Sequence, residues 1–432
     1  MNEVAVVGAG LAGCEAAWQL ARQGVPVQLI EMKPEKFSPA HKMPDFAELV
    51  CSNSLKAEHL TNASGLLKAE MEKVGSLILS CARASRVPAG TALAVDRDRF
   101  SRKITEAVEA HPLIRVERRV VSELPDEPAI IATGPLTDPK LLDALEKLPG
   151  LTALHFFDAA APIVTADSLD MGILFRQSRN GAGDDYLNSP MARAQYDAFY
   201  EALISAELSP LHDFEKNLVF EGCLAVEILA SRGRDTLAYG PMRPVGLTDP
   251  KTGRTPYAVV QLRRENEAGT LYNLVGFQTR LKWGEQKRVF SMIPGLERAE
   301  FARYGVMHKN TYLNSPDVLG RNYALKDRPL LRFAGQLTGV EGYVESAASG
   351  LVAGLNLGRV LRGLPEIDFP GETILGALET HVRTKTANFQ PMNANFGILA
   401  PLDKRVRSKK NRYEALSERA LTLMDRLTED IR

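Results

Sequence analysis

Val4-Ala5-Val6-Val7-Gly8-Ala9-Gly10-Leu11-Ala12-Gly13-Cys14 decides the fold. The first four residues are a short apolar, β-branched run that reads as a buried strand. The glycines follow at once, and Cys14 to Gln23 reads as a helix. Val27-Gln28-Leu29-Ile30 is a second strand, closed by Glu31. This is a βαβ opening with the dinucleotide fingerprint in its required context. Gly8 permits the tight turn, Gly10 lets the backbone approach a pyrophosphate, and Gly13 lets the helix pack on the strand. The start of the helix supplies free N–H groups and a positive dipole end. Glu31 lies 18 residues after Gly13, where an acid accepts from a ribose hydroxyl.

Beyond this opening, the chain continues as an α/β protein. The proline-broken stretch Met32 to Ala63 reads as a long loop, and loops of such length are often functional. Leu67, Met71, Val74 and Ile78 recur at helical spacing, as do Phe100, Ile104 and Val108 after Asp96. Ile114-Arg115-Val116 and Ala129-Ile130-Ile131-Ala132 read as strands. The second runs into Thr133-Gly134, a turn that resembles the second dinucleotide contact of FAD-binding proteins. Composition shifts near Leu151, and the more aromatic stretch to about Tyr304 reads as an inserted α+β domain. The expected units are therefore 1–150, 151–304 and 305–432. Leu330 to Ala334 gives a further strand, ending in Gly335-Gln336. A run of small residues from Gly339 to Gly354 follows. It resembles the C-terminal flavin contact of glutathione-reductase-type proteins, although Gln336 stands where that segment often has an acid. The same small residues also suit tight helix packing.

Bulk properties exclude several classes. Lys plus Arg and Asp plus Glu are 53 each among 432 residues, so a polyanion partner would need a local patch. No run approaches the roughly 18 apolar residues of a membrane helix. The amino terminus shows no signal-peptide pattern, and Cys14, Cys51, Cys81 and Cys223 form no CxxC. These features predict reduced thiols, a cytoplasmic location, and neither a bound metal nor a membrane association. No obligate protein partner is indicated.

One local patch exists. Lys404, Arg405, Arg407, Lys409, Lys410 and Arg412 fall within nine residues. The run is either a solvated segment or a phosphate-contact patch. Tyr413, Leu416, Ala420, Leu423, Leu427 and Ile431 then mark one face of a helix. Among the cysteines, Cys14 and Cys81 read as packing. Cys51, in Cys51-Ser52-Asn53-Ser54-Leu55-Lys56, and Cys223, after a glycine, lie in settings where a thiol could react.

Six motifs in this order carry a family resemblance. They are Gly8 to Gly13, Cys51-Ser52-Asn53-Ser54, Glu221-Gly222-Cys223, Tyr239-Gly240-Pro241-Met242-Arg243-Pro244-Val245-Gly246, Met307-His308-Lys309-Asn310-Thr311-Tyr312, and Gly335-Gln336-Leu337-Thr338-Gly339-Val340-Glu341-Gly342-Tyr343. Together they resemble the folate- and FAD-dependent tRNA (uracil-5-)-methyltransferases of bacteria, across essentially the whole chain. The resemblance implies a glutathione-reductase-type Rossmann FAD domain with an insertion. It also implies transfer of a carbon from 5,10-methylenetetrahydrofolate to C5 of the T-loop uridine of tRNA. FAD reduced by NADPH or NADH would supply the electrons. A thiolate must add at uracil C6 to make C5 nucleophilic, and the base must leave its stack first. Cys51 and Cys223 match the family's functional pair. The economical assignment gives C6 addition to Cys223 and work at the flavin or in proton transfer to Cys51, although the two could be exchanged. The expected FAD contacts are Gly8, Ala9, Gly10, Leu11, Ala12, Gly13, Glu31, Gly134, Gly335, Gln336 and Gly342. His308 and Tyr343 are candidate walls of a folate–flavin pocket.

The nearest rival is the sibling family that modifies the tRNA wobble uridine, whose members carry a long helical C-terminal extension. An NAD(P)H-dependent disulfide or quinone oxidoreductase would want a CxxC or a second fingerprint, and neither is present. A non-catalytic flavin-binding RNA chaperone would not need the polar Cys51 loop.

Overall fold

The computed structural model describes residues 3–181, 183–209, 224–386 and 388–431. The described residues form two six-stranded sheets, a three-stranded sheet and a two-stranded ribbon. In the first sheet, Val4–Val7 lies between Val27–Glu31 and Ala129–Ile131, parallel to both. Arg328–Phe333 extends the parallel order on one side and Ile114–Arg118 on the other, with Ala324–Leu325 as an antiparallel edge. Both faces of this sheet are covered, which explains the unbroken apolar runs of its central strands. On one face Val4, Val6, Leu29 and Ile130 pack under the helices. On the other, Val7, Ile30, Ile131 and Phe333 meet Leu141 and Leu145.

The helices Leu11–Arg22 and Tyr343–Leu361 lie together against the first face. Their closeness is built from missing side chains. A Cβ on Gly350 would sit 2.1 Å from the Ala12 carbonyl oxygen, and one on Gly354 would sit 2.5 Å from that of Ala16. These glycines therefore serve helix packing, which corrects their reading as part of a flavin-contact segment. Gly339 and Gly342 precede the helix.

The periodic stretch Leu67 to Ile78 is two helices, Ala63–Val74 and Leu77–Ala84. Gly75, at φ 89°, ends the first, and Ser76 caps the second by accepting from the Leu79 N–H at 3.2 Å. The proline-broken loop is interrupted too, because Ser54–Ala57 is a strand paired with Ala92–Val95. Asp96 caps the helix Arg97–Glu109 through the Arg99 N–H at 3.1 Å.

The second large sheet is antiparallel, running from Phe175–Arg176 through Leu187–Met191, Ala258–Arg264, Leu271–Leu274 and Ile163–Thr165 to Phe301–Arg303. It has its own buried cluster, with Tyr196, Phe199, Phe277 and Phe290 at its centre. The chain passes to it and back along one ribbon, Ala153–Ala159 paired with Met307–Leu313. We propose the two clusters as two folding units joined at that ribbon. No helix among the described residues is long and apolar enough to cross a membrane.

Candidate active site

A cleft with an open volume of about 1090 Å³ lies at the carboxyl ends of the central parallel strands. Ligands bind at this place in open α/β sheets. Gly8, Ala9, Gly10, Leu11 and Ala12 form its floor. A Cβ on Gly13 would fall 1.7 Å from the Gly8 carbonyl oxygen, so Gly13 closes the turn and does not line the cleft. A Cβ on Gly10 would meet nothing within 4 Å. The backbone there faces open space beside the first turn of a helix, as a pyrophosphate requires. The Glu31 carboxylate is buried and spans the turn. It accepts from the Ala9 N–H at 2.7 Å and from the Lys33 N–H at 3.0 Å. The residues present therefore fit a bound dinucleotide.

Two further segments complete the walls. Thr133, Gly134 and Thr137 line one side, with the Thr137 hydroxyl donating to the Gly134 carbonyl at 2.9 Å. Gly335, Gln336, Tyr343 and Ser346 line the other. The Gly335 N–H donates to the Ser349 hydroxyl at 2.7 Å, which fixes the turn before the helix. Gly342 lies outside the cleft lining, a departure from its expected contact. Its missing Cβ leaves room for the Glu345 carboxylate and the Lys56 ammonium, which pair at 2.6 Å.

Gln336 takes the place where a carboxylate was expected, yet a carboxylate is near. Its amide donates to Glu341, which is buried. Burial and the neighbouring Asp158 charge raise the Glu341 carboxyl well above the usual carboxylate range.

Cys51 stands at the meeting of both units. Val50 lines the cleft, and the Cys51 N–H donates to the Tyr343 hydroxyl at 2.7 Å. The Sγ points to the Ala159 carbonyl at 3.8 Å, on the ribbon. Arginines hold the loop from three directions. Arg97 donates to the Cys51 carbonyl at 2.9 Å, and Arg303 donates to that of Val50. Arg263 donates to the Ser52 hydroxyl at 2.6 Å and to the Asn53 side-chain oxygen at 2.8 Å. Arg97 also pairs with Glu265 at 2.5 Å, a largely buried link across the units. Despite these cations, burial and then Asp158 push the Cys51 thiol up to about 12. The electropositive setting expected of this loop is present but loses to desolvation, so Cys51 is held as a neutral thiol. The same burial raises the Tyr343 phenol.

Comparison with known proteins adds the family. A sequence model described as "Glucose inhibited division protein A" matches residues 3–365. A protein of Desulforudis audaxviator named methylenetetrahydrofolate–tRNA-(uracil-5-)-methyltransferase TrmFO is 62% identical over 422 residues, covering 97% of this chain and 96% of that one. A protein of the same name from Heliobacterium modesticaldum is 57% identical over 426 residues, covering 98% and 97%. The chain belongs to the TrmFO family. Among solved structures, Aquifex aeolicus GidA superimposes with a TM-score of 0.71 at 15% identity, over 99% of this chain and 74% of that one. At that identity the likeness shows the fold alone, a Rossmann-type α/β architecture.

Of the motifs that carried the TrmFO resemblance, Glu221-Gly222-Cys223 lies outside the described residues. The nearby Leu224 and Ala225 are buried, and the Val226 N–H donates to the Gln278 carbonyl at 2.7 Å. His308 lies on the ribbon, its backbone paired opposite Asp158. Lys404, Arg405 and Arg407 are exposed in a loop, while Lys409, Lys410 and Arg412 are exposed on the first turns of the helix Lys409–Ile431. Sequence reading missed Arg97, Arg263, Arg303 and Asp158, and gave Glu341 no role of its own. Arginines and acids are common, and only the folded chain shows which of them converge on one loop.

Proposed function

We propose that this chain transfers a one-carbon unit from 5,10-methylenetetrahydrofolate to C5 of the T-loop uridine of tRNA, making 5-methyluridine, with NADPH or NADH as the reductant. The observation that carries the reading is identity over nearly the whole chain with TrmFO proteins, 62% in one relative. When bound, FAD supplies the two electrons that take the carbon from the methylene to the methyl level. The floor from Gly8 to Ala12 and the turns at Gly134 and Gly335 bind and orient that cofactor, with Glu31 holding the Ala9 amide in place. Tyr343, which lines the cleft, forms a wall for the folate ring, and the resemblance gives His308 the same task. Cys223 supplies the sulfur that adds at uracil C6. Cys51, kept as a thiol by burial, holds a proton at Sγ beside the cleft. The exposed run from Lys404 to Arg412 contacts tRNA phosphates.

The test uses purified protein, tRNA lacking the modification, NADPH, and methylenetetrahydrofolate labelled in its methylene carbon. Label recovered as 5-methyluridine in the T-loop supports the proposal. Label at the wobble uridine would assign the sibling activity. Oxidation of NADPH with unlabelled tRNA would leave an oxidoreductase.

A further inference from the structure

Three aromatic rings stack into a column on the second unit. Trp283 and Tyr304 lie with centroids 5.6 Å apart and planes at 12°, and Tyr304 and Phe301 lie 5.0 Å apart at 9°. Trp283 ends the column. It is 62% exposed although Tyr304 covers one face, so its other face is open.

The column is held rigidly. Trp283 opens the helix Trp283–Phe290, and the buried Gln286 of that helix ties it to the strand end below Tyr304. The Gln286 amide donates to the Gly305 carbonyl and accepts from the Gly305 N–H, both at 2.8 Å. The strand Phe301–Arg303 carries a register shift, a feature that re-aims side chains.

Its position relates it to the Cys51 loop. Arg303, between Phe301 and Tyr304, reaches the Val50 carbonyl next to Cys51. The Ser209 and Val226 N–H groups donate to the Arg280 and Gln278 carbonyls just before Trp283. Lys287, exposed, lies one helical turn beyond Trp283 on the same face.

We propose that this column is a base-stacking platform, which takes one unstacked RNA nucleobase onto the open face of Trp283 while Lys287 meets its phosphate. The inference rests on the tRNA reading above and gives it a contact residue. A flat ring continues a parallel column, and such stacking tolerates any base. A protein partner would instead need roughly 800 Å² of surface on each side, far more than one ring offers.

The test is binding of an unmodified T-arm RNA stem–loop to the flavin-loaded full chain. Trp18 and Trp283 are the two tryptophans, so in a Trp18→Phe background the fluorescence reports Trp283 alone. The expected result is quenching on RNA addition, and a loss of about tenfold in affinity for Trp283→Ala. Trp283→Phe should recover most of it and Trp283→Leu should not. Equal affinity of Trp283→Ala and wild type would overturn the platform. So would rescue by Leu equal to that by Phe, which marks a merely apolar contact. A change in sedimentation of the RNA-free protein with Trp283→Ala would assign the face to self-association and overturn it as well. If the wild-type protein binds no RNA at all, the tRNA reading itself has failed, whatever the variants do.

Discussion

The floor of the cleft and the Cys51 loop are neighbours built by opposite means. The floor is backbone, shaped by closely spaced glycines and stitched by Glu31, 18 residues beyond Gly13. The Cys51 loop is shaped by side chains from distant segments: Arg97, Arg263, Arg303 and Tyr343. The contacts of the first lie within one βαβ unit. The second exists only when both units are in place. The floor of the cleft is thus carried by one cluster, while the setting of the Cys51 thiol depends on side chains from both.

The largest effects should break the floor. Gly13→Ala should yield no soluble folded protein, because its Cβ overlaps the Gly8 carbonyl. Gly10→Val has space to fold, so it should give a protein with a normal circular dichroism spectrum that purifies colourless. Yellow Gly10→Val protein would show that the phosphates lie elsewhere. Next comes the junction. Glu265→Ala leaves Arg97 buried and uncompensated, which should lower stability by about 3 kcal/mol in denaturant melts. A change of about 0.5 kcal/mol or less would mean that the loop does not depend on that link.

Smaller effects sharpen the contrast between a folded site and a solvated patch. Neutralising Lys404, Arg405 and Arg407 should weaken tRNA binding about tenfold and flatten its salt dependence, as phosphate contacts do. An unchanged salt slope would assign the run to solvent. A pH series tests burial inside the first unit. Lys68 donates to the Ala57 and Ser64 carbonyls at 2.8 and 2.9 Å, and burial pushes it down to about 8. Between pH 8 and the ordinary value of 10.5, the unfolded chain holds a proton that the folded chain has lost. Stability of the wild type relative to Lys68→Met should therefore rise with pH across that window. A flat difference would mean that Lys68 stays charged when folded.

The same contrast explains what could be read without coordinates. Val4 to Glu31 was legible because strand, turn, helix and acid follow one another in the chain, and each glycine meets a steric demand set nearby. Cys51 could be singled out by its polar neighbours, but its state could not be read. Arg97 lies 46 residues away and Arg263 more than 200, and whether cations or burial wins depends on how tightly they close. The glycines of Tyr343–Leu361 misled for a related reason. A small-residue stripe fits a ligand and a helix equally well, and Ala12 and Ala16 turned out to be the partner.

The division between the two sulfurs is tested most directly by trapping. The protein, its Cys51→Ala and Cys223→Ala variants and the double variant are each given tRNA containing 5-fluorouridine, whose fluorine blocks loss of the C5 substituent. With burial favouring the thiol form of Cys51, and the family resemblance giving C6 addition to Cys223, the expected result is a covalent protein–RNA band for wild type and Cys51→Ala and none for Cys223→Ala. A band that survives Cys223→Ala and disappears in Cys51→Ala would reverse the roles. A band that survives in the double variant would contradict cysteine-based activation of the uracil.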